Sequence, residues 1–199
     1  MIQMKHRYAV LMWVALGVWV IAAAPMGKHA PKGGAGKKPA GKSAAWKIQN
    51  ATSAAPKNIS KDATVVDFPA SEGADFPVLR KGTNGWTCLP DDPSTPANDP
   101  MCLDDNAMAW ADAWIHHKTP TLKAPGFGYM LQGGGSPSNS DPYAKKPAEG
   151  EKWMHEAPHV MFFPVNAKDL DGYSTDPMSG KPWAMWSGTD YVHLMIPVK

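Results

Sequence analysis

The chain has 199 residues, with 20 Lys and Arg against 18 Asp and Glu, and 18 Gly and 20 Pro. That length suits one domain with a core, and a Gly and Pro share above the usual ~12% implies many loops. No acid precedes Asp62, so residues 1–61 carry +10 and residues 62–199 carry −8. An acidic domain repels nucleic acid, so no nucleic-acid partner is expected.

At the start, Lys5, His6 and Arg7 precede an uncharged run from Tyr8 to Ala24. Residues 1–24 thus read as a secretory signal or an N-terminal anchor. Ala22 to Ala24 favour cleavage, with Val20-Ile21-Ala22 as an acceptable site, while Pro25 blocks a cut directly after Ala24. The expected address is exported, periplasmic or extracellular, with membrane tethering if the segment stays.

Residues 25–61 hold eight lysines among Ala, Gly and Pro. Few large apolar groups are available to offset ordering entropy, so this stretch is expected to be a disordered basic tether. Its charge suits an anionic membrane surface or envelope polymer as well as a plain spacer. Within it, GKKPAGKS (36–43) spells a phosphate-binding loop, but that chemistry needs a strand before the loop and a helix after it. No strand is expected before it, and Pro39 stiffens the turn. Asn50-Ala51-Thr52 and Asn58-Ile59-Ser60 are glycosylation sequons for a host that uses them.

The folded domain is expected over 62–199. ATVVDFP (63–69) predicts a strand, and PVLRKGTNGWTCLP (77–90) predicts a hairpin. PDDPSTPANDP (90–100) must be a loop. Cys88 and Cys102 flank it. Their spacing is unlike C-x-x-C, and in an oxidising compartment they are expected to pair. The 15-residue loop so closed is worth roughly 3 kcal/mol in the chain-entropy description.

Asp104 to His117 predicts the one clear helix, with Ala107, Trp110, Ala111, Trp114 and Ile115 on one face. Asp104 or Asp105 can cap its start, and His116 and His117 suit its C-terminal dipole. GFGYMLQ (126–132) predicts a strand and GGGSPSNSDP (133–142) a flexible loop. HVMFFPV (159–165) and YVHLMIPV (191–198) predict strands, with 168–186 mostly loop between them. The fold class is therefore α+β: an antiparallel sheet of about five or six strands with one main helix packed on it.

GTNGWTCLPD (82–91), NDPMCLD (98–104), GYMLQGG (128–134) and PHVMF (158–162) resemble motifs of a group of uncharacterised exported bacterial proteins. The resemblance covers most of 62–199. It implies export and a single domain, and it implies no activity and no site residues.

The chemical motifs reduce to a few candidates. HEAPH (155–159) spells a zinc-peptidase pattern, but Pro158 opposes the required helix, and on an extended chain the two histidines stand ~13 Å apart. His155 then belongs to a loop and His159 to the start of a strand. His159-x-Met161 and His193-x-Met195 are a better pair. On neighbouring strands in register, two imidazoles and two thioethers would meet, a donor set that suits Cu(I). Ordinary core packing explains the same residues. Met130 is a further candidate donor. Asp169, Asp171 and Asp176 lack the frame of a calcium loop and read as turn residues. Ser136, Ser138 and Ser140 lie in the predicted flexible loop, a poor place for a nucleophile. These readings point to a non-catalytic binding or structural module with copper as its sharp version. The alternative is a hydrolase centred on His159 or His193 with an acid such as Asp190.

Overall fold

The computed structural model describes residues 42–71 and 74–198. The expected signal or anchor (1–24) and the first part of the expected tether (25–41) lie outside the described residues. From residue 42 onward the tether reading fails. Ser43 caps a helix, α1 (Ala44–Thr52), through its hydroxyl, and a short α2 (Lys57–Ser60) follows. The folded part therefore begins before residue 62. The physical reason is the size of the buried groups. Ala51, Ala54, Ala55 and Ala63 are buried against Val65, Cys88 and Cys102. Alanine buries little area each but allows close approach, so a stretch poor in large apolar residues still finds a core.

The strands follow in chain order: β1 (Thr64–Val66), β2 (Val78–Arg80), β3 (Trp86–Leu89), β4 (Met101–Asp104), β5 (Gly126–Met130), β6 (Gly134–Ser136), β7 (Met154–Glu156), β8 (His159–Phe163), β9 (Trp183–Met185) and β10 (His193–Pro197). Eight of them form one sheet in the order β2-β1-β3-β4-β5-β8-β10-β9, antiparallel except where β1 meets β3, and β6 pairs with β7. The fold is mixed α and β with a large, mostly antiparallel sheet. It has more strands than the five or six expected, because three-residue strands show no alternation to read.

Local corrections follow from the same cause. The expected 77–90 hairpin does not form: β2 and β3 both pair with β1, which lies between them. The connection crosses the start of β1, where Thr83 N–H donates to the Asp62 carbonyl at 2.8 Å. The expected flexible loop 133–142 contains β6. His155, expected in a loop, lies in β7. The expected loop 168–186 holds a 3-10 turn (Ala167–Leu170) and the edge strand β9.

The cysteines form a disulfide between directly opposed positions of β3 and β4. It lies on the face that α1 covers. The opposite face carries α3 (Asp105–Ile115), which starts directly behind β4 with Asp104 as its cap. Trp110 of α3 lies 4.6 Å from Phe163 of β8, ring centre to ring centre, and 5.1 Å from His193 of β10. Gly126 makes this approach possible, since a Cβ there would stand 2.5 Å from the Ala107 nitrogen. Gly126→Ala is therefore expected to force the helix off the sheet and cost about 1–3 kcal/mol, as overpacking does. Urea unfolding with an unchanged slope and a lower midpoint would show it.

Candidate functional site

The α3 face of the sheet is a grid set by strand register. Gly126, Gly128 and Met130 of β5 oppose Phe163, Met161 and His159 of β8, and Met161 opposes Met195 of β10. The two H-x-M pairs are thus on neighbouring strands and on one face, with the thioether residues directly opposed. Because the strands are antiparallel, the histidines take opposite ends. His159 faces Pro197, four residues from His193 along β10, a backbone offset of about 13 Å at strand rise. Each imidazole donates its Nδ1 proton to a local carbonyl, His159 to Ala157 at 2.7 Å and His193 to Tyr191 at 3.0 Å. Both rings are buried. Burial lowers the pKa of His159, against the pull of the Ala157 carbonyl. Burial likewise brings His193 down to about 4, with the Tyr191 carbonyl opposing and the His159 charge adding to the fall. Both are neutral imidazoles near pH 7. With Nδ1 carrying the proton, His159 Nε2 is a bare lone pair, and it has no hydrogen-bond partner.

The other named candidates lie apart. Asp190 is exposed and accepts from the Thr119 hydroxyl at 2.7 Å. Asp169, Asp171 and Asp176 are exposed, and Asp176 accepts from Met178 N–H in a turn. His116 sits at the helix end with Nδ1 2.8 Å from the Asp112 carbonyl. His117 stacks on Tyr143. Lys42 and Ser43, the last residues of the phosphate-loop pattern, pair with Asp91 and cap α1. A helix does follow that pattern, contrary to expectation. Among the described residues, no group of three or more His, Cys, Asp or Glu could hold a metal ion. Asn50 of the first sequon is engaged on both sides of its amide, with Asn98 and with Asp91 N–H.

Between α3 and the sheet lies a cavity of about 550 Å³. Its walls are apolar: six methionines (Met101, Met108, Met130, Met161, Met185 and Met195) and the indoles of Trp110, Trp114, Trp153 and Trp186. The size is that of a small-molecule site, in the range of about 300–1,000 Å³. One wall is the segment 138–142, which the tryptophans hold in place. Trp114 donates to Pro142 O at 3.0 Å, Trp186 to Ser138 O at 3.1 Å and Trp183 to Asn139 Oδ1 at 3.2 Å. Trp186 adopts φ 54, a left-handed conformation rare for so bulky a residue. It is held there by its backbone N–H to Asn139 O at 2.8 Å. Strain of this kind gathers at functional sites.

Two polar groups of the wall are buried without a partner, Trp110 Nε1–H and Glu156 Oε1. A buried unpaired polar atom costs ~1–3 kcal/mol. Glu156 packs against Gly134, where a Cβ would lie 2.8 Å from its Oε2, and Asp99 stands beside the same position. Burial pushes the Glu156 carboxyl up to about 7; Ser136 opposes the shift and the Asp99 charge adds to it. Burial also raises Asp99, to about 6, against hydrogen bonds from Thr95 and Asp92. Those bonds occupy both Asp99 oxygens, at 2.5 and 2.9 Å. Asp99 ties the 90–100 loop together, and Glu156 is left with a free acceptor. Sequence reasoning missed Glu156 although it is the glutamate of HEAPH. The signal was present as an acid three residues before an apolar strand. It was discarded together with the zinc pattern.

Comparison with protein families, with curated proteins and with solved structures finds no match to this chain.

Glu156 sets a stability signature. Its folded pKa of about 7 lies above the ordinary glutamate value of 4.5, so the folded state binds more protons between those values. Its contribution therefore falls as pH rises. Glu156→Gln removes that loss and is expected to stabilise the free protein by roughly 3 kcal/mol at pH 8 and by little at pH 4.5. Thermal melts of both proteins at the two pH values read the difference.

Proposed function

We propose that the domain is an exported, non-catalytic binding module whose ligand is a small, largely apolar molecule held in the cavity under α3. The carrying observation is the cavity itself, apolar and of ligand size, with Glu156 Oε1 and the Trp110 N–H buried in its wall and unpaired. A bound molecule would satisfy such groups, and a core that served packing alone would leave neither the space nor the orphans. Export is supported by the disulfide, which persists in oxidising compartments. It is also the reading that the resemblance to uncharacterised exported proteins carries. Among the described residues no helix is long and apolar enough to cross a membrane. Association of the basic N-terminal segment with a membrane or envelope polymer belongs to the same proposal.

A soft-metal reading has one observation of its own. His159 presents an unpartnered Nε2 with its tautomer fixed by a backbone carbonyl, as metal-bound histidines do. Met130, Met161 and Met195 share its face of the sheet, Met130 directly opposite His159. His193 lies at the far end of the grid, so a Cu(I) site would use His159 with thioethers rather than both H-x-M pairs at once. The hydrolase alternative gains no support, since both histidines give Nδ1–H to backbone carbonyls and Asp190 is committed to Thr119.

Two experiments separate these readings. Titration with the fluorescent neutral probe N-phenyl-1-naphthylamine is expected to give one saturable site. Filling the cavity by Ala111→Phe is expected to abolish it while the far-UV spectrum is retained; binding untouched by that variant contradicts the cavity reading. Cu(I) titration against a competing chelator is expected to weaken at least tenfold in Met161→Leu/Met195→Leu if copper is bound. Equal affinity removes the metal reading.

A further inference from the structure

We infer that the ligand is a lipophilic amine, its cationic nitrogen held by Glu156 and its apolar body laid along the methionine rows. The inference rests on the cavity being a ligand site and adds the chemistry of what enters it. Three observations carry it. Glu156 is nine-tenths buried, and its Oε1 accepts nothing. The wall carries the acids Asp92, Asp99, Asp141 and Glu156 against one lysine, Lys145. An anionic ligand is therefore repelled, and a neutral one gains nothing from the field. The apolar part is aromatic: Trp110 stacks on Trp114 and on Trp186, at 6.1 and 6.0 Å between centres, and the half-buried Trp114 and Trp186 leave indole surface accessible beside it. Indole faces attract alkylammonium groups, and thioethers adapt to irregular alkyl chains.

The proton balance is simple. The amine arrives as an ammonium, Glu156 releases its proton to solvent, and an N–H···O⁻ bond forms between them. Asp99 from the 90–100 loop, Ser136 of β6 and the end of Met130 face this carboxyl. Only Asp99 among them titrates, and its oxygens are already bonded. Binding should thus strengthen as pH rises through the neutral range and level off well below the pKa of an alkylamine, about 10.

The test is calorimetric titration of the full chain at pH 8 with three probes that differ by at most one chain atom: octylamine, 1-nonanol and octanoate. Octylamine is expected to bind at least tenfold tighter than 1-nonanol, with octanoate weakest. Glu156→Gln is expected to erase the preference for the amine over the alcohol. The wild type at pH 5.5, where octylamine is still cationic, is expected to lose the same preference without any substitution. Equal binding of amine and alcohol, or an amine preference that survives in Glu156→Gln and at pH 5.5, overturns this inference and leaves the cavity reading standing. No binding of any of the three probes overturns both.

Discussion

The close approach of α3 to β5 at Gly126 is the constraint on which the site depends. Because β4 runs into α3 without a loop, the helix must fold back over the end of the strand it has just left. Gly126 lets the Ala107 backbone touch the sheet there, and Trp110 then reaches Phe163 and His193. The helix is seated over that end of the grid. The cavity adjoins that contact, since Trp110, Phe163 and His193 line it together with Met101, Met130 and Met195. The disulfide acts on the other face, clipping β3 to β4 under the alanines of α1. One face is thus close-packed with small residues, and the other is built from large, deformable ones.

That division suits a binding protein. Methionine has three rotatable side-chain bonds and fills space without fixing it, so a methionine wall can accept more than one shape. The indoles are different: Trp114, Trp183 and Trp186 all donate to the 138–142 segment, which fixes that wall. Polar groups inside this volume act against one another across pH. The histidines have depressed pKa values and favour the folded state as pH rises from the acid side, whereas Glu156 and Asp99 have raised values and disfavour it over much of the same interval. Groups that oppose in this way partly offset one another at mildly acidic pH. They leave the charge of Glu156 available to respond to what binds.

Much of the frame was legible in the sequence. Asp104 to His117 read as a helix because its cap and apolar face are both local signals, and the observed Asp105–Ile115 differs only at the ends. The disulfide followed from two cysteines around a proline-rich loop. HVMFF and HLMIP read as strands because five residues suffice to show β propensity, and their pairing put Met161 opposite Met195. What failed was whatever depends on three-residue strands or on small residues. β6, β7 and β9 carry no periodicity of their own. α1 looked like tether because alanine contributes little hydrophobicity and the lysines around it dominate the composition. Glu156 was illegible for a different reason. Its interest lies in lacking a partner, and that is a property of the assembled cavity rather than of any local pattern.

The central claim is that the space between α3 and the methionine face is a real, apolar, occupiable volume rather than collapsed core. Diffraction from crystals pressurised with xenon tests it most directly, because xenon enters apolar cavities and needs no guess about the ligand. The account predicts xenon density bounded by Met130, Met161, Met195 and Trp110, lost in Ala111→Phe. Absence of density there in the unaltered protein, with the methionine side chains filling the space, would contradict it.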